Sequence, residues 1–383
     1  MESPMPWSDA SIAEQRREFV RMASKEGANI SLLCTRFGIS RTTGYKWLRR
    51  GRGSEEDFSD RSRRPLHHPT RTANWIEDLV VALHEERQVW GARKIAWELE
   101  QRASLKLATS TVHAILKRHD RIGPDTRAPH RFTRFEKSSC NQMWQMDFKG
   151  YVTLTSGAVC HPLTVLDDHA RFAVGLAACG EQSGETVKAR LQQVFRRYGL
   201  PEAFYMDNGA PWGSGYRDRW TRFDVWLMKL GIRVIHGRPY YPQGRGKIER
   251  FHRTLKHEVF SVCPFNTLDQ VQRRFDEWRT IYNMDRPHEA LDMNVPASRY
   301  QPSPRTLPET LPEVEYGPDE ITRKVDRTNA HITVNRRKWK LPKAFKGETV
   351  ALRPRYPDGV WAVCFGATQI ALIDLNANPG NNR

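Results

Sequence analysis

The chain has 383 residues, of which 61 are basic and 44 acidic, so its formal net charge is +17. This excess favours a polyanionic partner, most simply nucleic acid, over a protein that is merely basic. No apolar run approaches the roughly 18 residues of a membrane span, and the first ten residues carry no signal-peptide pattern. The six cysteines form no C-x-x-C pair, which predicts reduced thiols in a cytoplasmic protein without a zinc finger.

Residues 1–52 are predicted to form a helix-turn-helix domain. Apolar spacing fits three helices at 13–25, 31–37 and 41–50, with Ser40 as the cap of the third helix. Between Gly27 and Gly53 there are six basic residues and no acidic one. The alternative is a small helical bundle with a solvated basic face. In a DNA-binding domain, the third helix would contact DNA through Arg41, Thr42, Thr43, Lys46 and Arg49.

A second helical unit follows a basic linker. The linker, residues 53–74, contains Arg63 and Arg64 and either tracks a groove of DNA or is a solvated tether. Residues 75–122 contain helical patterns at 75–86, 91–101 and 110–119, and we expect Ser110 to cap the last helix. The pattern indicates a second helix-turn-helix domain, winged or plain, although a dimerising bundle has the same pattern. Residues 123–140 are a further linker.

The pattern changes to strands at about residue 141. Three strands are followed by helix and strand in alternation, which predicts a mixed sheet covered by helices over residues 141–300. The predicted elements are strands 143–155, 160–167, 172–178, 203–206 and 232–236, and helices 184–198, 220–230 and 243–260. Residues 301–320 contain five prolines and an excess of acidic residues, which indicates a linker. Short β runs with turn signals then predict a small all-β barrel over residues 321–376.

Three acidic residues of the predicted core stand out. Asp147 and Asp207 each end an apolar run that is typical of a strand, and Glu249 lies on a basic helix. Carboxylates are the oxygen ligands that Mg²⁺ and Mn²⁺ prefer, and three that converge can hold two ions for phosphoryl transfer. The alternative for Glu249 is a solvated helix with an i,i+4 Glu–Arg pair. Asp167 and Asp168 are better explained as a polar turn.

Four motifs make the family resemblance specific. They are W-Q-M-D-F around Asp147, D-N-G from Asp207, G-K-I-E-R-F-H-R-T-L-K around Glu249 and Y-N-x-x-R-P-H-E-A-L from Tyr282. In this order they resemble the DDE transposases of bacterial insertion sequences, within the retroviral-integrase superfamily. The resemblance implies an RNase H-like core, two Mg²⁺ ions on Asp147, Asp207 and Glu249, and attack of a 3′-hydroxyl on target DNA. It also implies DNA contacts at Arg253 and Lys256, to which we add Arg245 and Lys247.

Two features depart from the family pattern. The interval from Asp207 to Glu249 is slightly long, and the extra residues fall in the stretch from Pro211 to Arg219. The zinc domain of retroviral integrases is absent and helical domains take its place. We therefore expect a transposase of the bacterial cytoplasm and nucleoid that binds terminal inverted repeats and target DNA as a multimer. The alternatives are a catalytically silent DNA-binding regulator and an RNase H-like nuclease.

Overall fold

The computed structural model describes residues 11–51, 58–60, 71–122, 136–213, 220–237, 245–261 and 264–376. It divides into two compact units, Met1–Ala73 and Asn74–Arg383. The predicted DNA contacts Arg63 and Arg64 lie outside the described residues, as does most of the stretch after Pro211. None of the helices in the described ranges is both long and apolar enough to cross a membrane.

The first unit contains the three predicted helices, α1 (Ile12–Ala23), α2 (Ile30–Arg36) and α3 (Arg41–Gly51). Gly38 reverses the chain between α2 and α3 with a φ of 64°, which favours glycine. Ser40 caps α3 as predicted, because its Oγ accepts a hydrogen bond of 3.1 Å from the Thr43 amide. The helices approach closely at Gly44, where an added Cβ would lie 2.5 Å from the Cys34 Sγ. The helix-turn-helix prediction is confirmed.

The second unit begins with α4 (Asn74–Glu86), α5 (Ala92–Ala103) and α6 (Thr109–Arg118). These match the three predicted helices and bury one apolar cluster that includes Val80, Ile95 and Leu99. The prediction that Ser110 caps the last helix is wrong. The helix begins one residue earlier, and the cap position is occupied by Ala108 without a side-chain hydrogen bond.

A mixed sheet forms the centre of the second unit. Its strands are β1 (Trp144–Phe148), β2 (Val152–Thr153), β3 (Val159–Asp167), β4 (Ala173–Cys179), β5 (Ala203–Met206) and β6 (Arg233–His236). The order across the sheet is β4, β3, β1, β5, β6, with β1, β3 and β4 antiparallel in turn and β5 and β6 parallel to β1. The predicted strand 143–155 is interrupted around Gly150, whose φ is 80°, and β2 resumes pairing with β3. This is the expected RNase H-like arrangement.

Helices cover both faces of this sheet. One face packs against α7 (Gly184–Tyr198) and α8 (Arg222–Lys229), through a cluster that contains Phe195 and Trp226. The other face packs against α9 (Gly246–Leu255) and α10 (Leu268–Met284), through a cluster that contains Phe251, Phe275 and Trp278. A π-helical turn, Lys256–Phe260, extends α9. The helix that carries Glu249 is therefore fixed to the sheet by its own apolar face.

The C-terminal residues form an all-β region that packs on the core. Its strands are β7 (Ile321–Lys324), β8 (His331–Val334), β9 (Arg337–Lys340), β10 (Thr349–Arg355), β11 (Val360–Phe365) and β12 (Thr368–Asp374). They pair as a four-stranded antiparallel sheet and a hairpin of β8 and β9. Phe345 packs edge-on against Trp220 at 6.3 Å, so the region shares an apolar cluster with the core. Residues 301–320, which were predicted as a linker, also contact the core at their start. There Arg305 donates a hydrogen bond of 2.7 Å to the Pro201 carbonyl.

Candidate active site

Asp147 lies on β1 and Asp207 directly follows β5, and these two strands are parallel neighbours. The register pairs Trp144 with Phe204 and Gln145 with Tyr205, which brings the ends of β1 and β5 side by side. The Asp147 side chain is mostly buried, whereas about a third of the Asp207 side chain, 33%, is exposed. The two carboxylates therefore meet at one edge of the sheet, as the sequence predicts.

A guanidinium group lies between these carboxylates. Arg245, just before α9, has one terminal nitrogen 2.5 Å from Asp147 Oδ2 and the other 3.6 Å from Asp207 Oδ2. Burial raises the pKa of the Asp147 carboxyl to about 6 against the opposing charge of Arg245, and Asp207 adds to the rise. Two acids in a partly buried pocket thus need a cation, and here a side chain supplies it.

Glu249 lies one helical turn after Arg245, on the exposed side of α9. Its negative charge is one of the causes that raise the pKa of Arg245, after those of Asp147 and Asp207. Across the described ranges, no group of three or more His, Cys, Asp or Glu side chains is arranged to hold a metal ion. The structure thus brings Asp147 and Asp207 together. Glu249 is linked to them because its charge, like theirs, acts on Arg245.

The D-N-G motif holds the end of β5 in place. Asn208 donates a hydrogen bond of 2.7 Å to the Gly237 carbonyl after β6, and the Gly209 amide donates to Asp207 Oδ1 at 3.0 Å. His236 Nδ1 lies 2.9 Å from the Asp207 carbonyl oxygen. These contacts fix the backbone at Asp207 and directly after it, and the bond from Asn208 explains why an amide side chain follows the acid.

Two residues of the site were missed by sequence reasoning. His252 Nδ1 lies 3.9 Å from Asp147 Oδ2, and its Nε2 lies 2.8 Å from Thr164 Oγ1. Thr164 in turn donates to the Asp147 carbonyl oxygen at 2.8 Å. Burial lowers the pKa of His252 to about 3, with help from the charges of Lys149 and Arg245, so the ring is neutral. The only available signal was the position of His252, three residues after Glu249.

The four basic residues on and beside α9 that the sequence analysis assigned to DNA fall into two pairs. Arg253 and Lys256 are exposed, and among the described residues neither has an acidic partner within salt-bridge distance. Arg245 contacts the two aspartates, and Lys247 forms an ion pair with the buried Asp168. Arg253 and Lys256 are therefore open to a phosphate, whereas the charges of Arg245 and Lys247 are directed into the protein.

On α3, the predicted contact residues Arg41, Thr42, Lys46 and Arg49 are exposed, and Thr43 is half-buried. Arg41 Nε donates to Ser31 Oγ at 2.8 Å, and the Lys46 ammonium lies 5.4 Å from the centre of the Trp47 ring. The face also presents Tyr45, which is 56% exposed and was not singled out from the sequence. A basic face with an exposed aromatic ring is thus present on the third helix.

The motif that starts at Tyr282 forms part of the core. Arg286 Nε and Trp278 Nε1 donate to the two carboxylate oxygens of Glu258, at 3.0 and 2.8 Å, which ties α10 to the π-helical turn after α9. Glu289 forms an ion pair of 2.9 Å with Arg93 of α5. The R-P-H-E residues thus join the second helical domain to the core.

Models of known protein families match these regions of the chain. Two family models of the integrase core domain match residues 137–242 and 230–296, and the C-terminal domain of IS481 family transposases matches residues 320–380. A helix-turn-helix domain model matches residues 15–65, and a homeodomain-like domain model matches residues 43–116.

Similar proteins include the insertion element IS476 uncharacterized 39.2 kDa protein of Xanthomonas euvesicatoria, 30% identical over 43% of this chain and 46% of its own length. The insertion element IS407 uncharacterized 31.7 kDa protein of Burkholderia multivorans is 30% identical over 41% of this chain and 54% of its own. The chain thus spans about half the length of these curated relatives.

Among solved structures, a simian T-cell lymphotropic virus intasome in complex with PP2A regulatory subunit B56 gamma is 16% identical. The match covers 78% of this chain and 96% of that chain, with a TM-score of 0.38. The chain thus contains regions similar to the integrase core domain, to the C-terminal domain of IS481 family transposases and to helix-turn-helix domains.

Proposed function

We propose that this chain is a DDE-type polynucleotidyl transferase that cuts the ends of an insertion sequence and joins them to target DNA. The observation that carries the proposal is the pairing of Asp147 and Asp207 at adjacent strand ends, beside the helix of Glu249. Phosphoryl transfer chiefly requires that the protein position the reactants and neutralise charge. Acids that hold metal ions beside a basic surface can do both.

Asp147, Asp207 and Glu249 are the residues that would hold Mg²⁺ or Mn²⁺, and we propose two ions. The donor set fits, since all three supply hard oxygen atoms, and the Arg245 guanidinium already lies as a cation between two of them. When bound, such ions activate an attacking oxygen and stabilise the leaving one. The Thr164 hydroxyl supports this arrangement by holding the backbone of Asp147.

Arg253 and Lys256 would bind the phosphates of the DNA that reaches the acids, since their charges are exposed. The exposed face of α3, with Thr42, Tyr45 and Lys46, would recognise the terminal inverted repeats. Joining two DNA ends requires more than one copy, so we propose that the chain self-associates on DNA. The protein would act in the bacterial cytoplasm, at the nucleoid.

The deciding experiment incubates the full chain with end-sequence DNA, target DNA and Mg²⁺, and scores cleaved and joined products separately. Asp147→Asn and Asp207→Asn are expected to abolish both products while the protein stays folded and bound to DNA. Asp269→Asn is the matched control, because Asp269 is an exposed acid in the first turn of α10 and is not one of the three proposed metal ligands. Cleavage without joining indicates an RNase H-like nuclease, and DNA binding without either product indicates a regulator.

A further inference from the structure

The Asp168 carboxylate lies in the interior of the core, with none of the residue exposed. It accepts three hydrogen bonds, from the Lys137 amide at 2.8 Å, from Gln145 Nε2 at 2.9 Å and from Lys247 Nζ at 2.5 Å. The same ammonium lies 3.3 Å from the Asp168 carbonyl oxygen. Asp168 lies in the turn after β3, as the sequence indicated, and its carboxylate is enclosed within the core.

These contacts connect the two elements that carry the acids of the site. Gln145 lies two residues before Asp147 on β1, and alternate residues of a strand share a face. Lys247 lies two residues before Glu249, in the first turn of α9. The Asp168 carboxylate therefore holds a residue beside Asp147 and a residue beside Glu249 at the same time.

The start of α9 depends on such contacts, because it has no local cap. The cap position is Arg245, whose side chain makes no capping hydrogen bond to the helix. Instead its guanidinium contacts Asp147, and two residues further along the chain Lys247 contacts Asp168. The apolar face of α9 sets its distance from the sheet, and these two ion pairs set the position of its first turn.

A buried ion pair contributes little net stability, since desolvation of both charges offsets their attraction. It does impose a geometry, because removal of either partner leaves a charge buried and unpaired. The Lys247 side chain is 16% exposed and points at a fully enclosed acid, so its ammonium is not available to a DNA phosphate.

We infer that Lys247 is a positioning residue. Together with Asp168 and Gln145 it holds the first turn of α9, and hence Glu249, at a fixed position relative to Asp147 and Asp207. This corrects our assignment of Lys247 as a DNA contact, and it rests on the proposed function. Lys247 and Arg253 both lie on α9, and they have opposite tasks. Lys247 places the acids, and Arg253 holds the nucleic acid.

The test compares Lys247→Met with Arg253→Met in the full chain. Lys247→Met is expected to lower kcat for strand transfer about 10- to 100-fold, because small misplacement of reacting groups has that effect. Its DNA affinity and salt slope should equal those of the wild type. Arg253→Met should flatten the slope of log affinity against log salt by about one. The Mg²⁺ concentration that half-maximally raises the melting temperature should increase for Lys247→Met only.

Loss of folding is controlled by the double variant Lys247→Met/Asp168→Asn, which removes the unpaired charge. It should recover the melting temperature of the wild type and keep the low kcat. A flattened salt slope with unchanged kcat in Lys247→Met would overturn the inference and leave the proposed function standing. Recovery of full kcat in the double variant would overturn it as well. A wild-type protein that neither joins DNA nor gains stability from Mg²⁺ would overturn the proposed function, and this inference with it.

Discussion

Arg245 pairs with Asp147 across 98 positions of the sequence, and the bond of 2.5 Å places a guanidinium beside an acid that is otherwise enclosed. Asp207 lies on the other side of the same guanidinium, at 3.6 Å. Two acids that we propose as metal ligands thus share one guanidinium, which belongs to the residue directly before the helix that carries the third. The stability of the first turn of α9 should therefore depend on which cation lies between the two acids.

Arg245→Ala should therefore make the stability of the protein more dependent on Mg²⁺. Without the ion, the two carboxylates repel each other and the melting temperature should fall. Bound Mg²⁺ should raise the melting temperature again, because a ligand at a hundredfold excess over its Kd adds about 2.7 kcal/mol to the free energy of unfolding. Arg250→Ala is the matched control, because Arg250 is an exposed cation on the same helix. Thermal unfolding over a Mg²⁺ series measures this, and equal Mg²⁺ responses of the two variants would contradict the prediction.

Glu249→Gln should separate catalysis from binding. It removes a negative charge but keeps the shape, so DNA should bind at least as tightly as to the wild type, while strand transfer should be nearly lost. Lys256→Ala should do the reverse, with a salt slope flatter by about one and with cleavage retained at high protein concentration. Binding isotherms over a salt series decide between the two effects. Loss of binding by Glu249→Gln would show that α9 does not face DNA.

The sequence predicted the sheet and its helices well, because strand and helix periods are local properties. Asp147 and Asp207 were placed correctly for the same reason, since both follow buried runs. The partners of Arg245 and Lys247 were not predictable, because they lie 98 and 79 positions away and depend on how the strands are ordered. Local spacing put both cations on or beside the helix that we propose faces DNA, and only the fold shows that they point inward.

The C-terminal region illustrates the same limit. Its short strands were predicted from alternation and turn residues, but its attachment to the core was not. Trp220 and Phe345 are 125 positions apart in the sequence, and nothing near either residue reveals that their rings meet. Removal of residues 321–375 would therefore expose an apolar surface of the core as well as delete a module.

Phe345→Ala should test that attachment. Phe345 is fully buried, so its truncation should lower the free energy of unfolding by about 3 to 5 kcal/mol. Because the apolar cluster is shared, the core and the C-terminal region should lose stability together, in one transition. Tyr356→Ala is the control, since Tyr356 is 97% exposed. Denaturant unfolding that shows two separate transitions, with only one shifted, would count against a shared core.

The exposed face of α3 should show which of its residues recognise sequence. Thr42→Ala and Tyr45→Ala should each reduce the preference for end DNA over random DNA, by about 1 to 3 kcal/mol for a contact with a base. Arg49→Ala should weaken both kinds of binding equally, as expected for a phosphate contact. Competition binding with the full chain measures the ratio. An unchanged ratio for both Thr42 and Tyr45 would remove this face from sequence recognition.

Lys94 should reveal how the second helical domain is joined to the core. Burial beside Arg286 lowers the pKa of this lysine to about 7, from 10.5, and the nearby acids Glu258 and Glu289 oppose the shift. The unfolded chain thus holds a proton that the folded chain lacks between pH 7 and about 10. In that window the lysine makes the free energy of unfolding rise with pH, by at most about 1.4 kcal/mol per unit.

Lys94→Met keeps the length of the side chain and removes its charge. The variant should be more stable than the wild type at pH 7, by about 1 to 3 kcal/mol, and the gain should shrink as the pH approaches 10. Lys117→Met is the control, because Lys117 is exposed on α6 and should change neither the stability nor its pH slope. Chemical unfolding at pH 7, 8 and 9 measures both quantities. A Lys94→Met variant that is less stable at pH 7 would mean that the ammonium is held by Glu258 and Glu289 and that the junction depends on its charge.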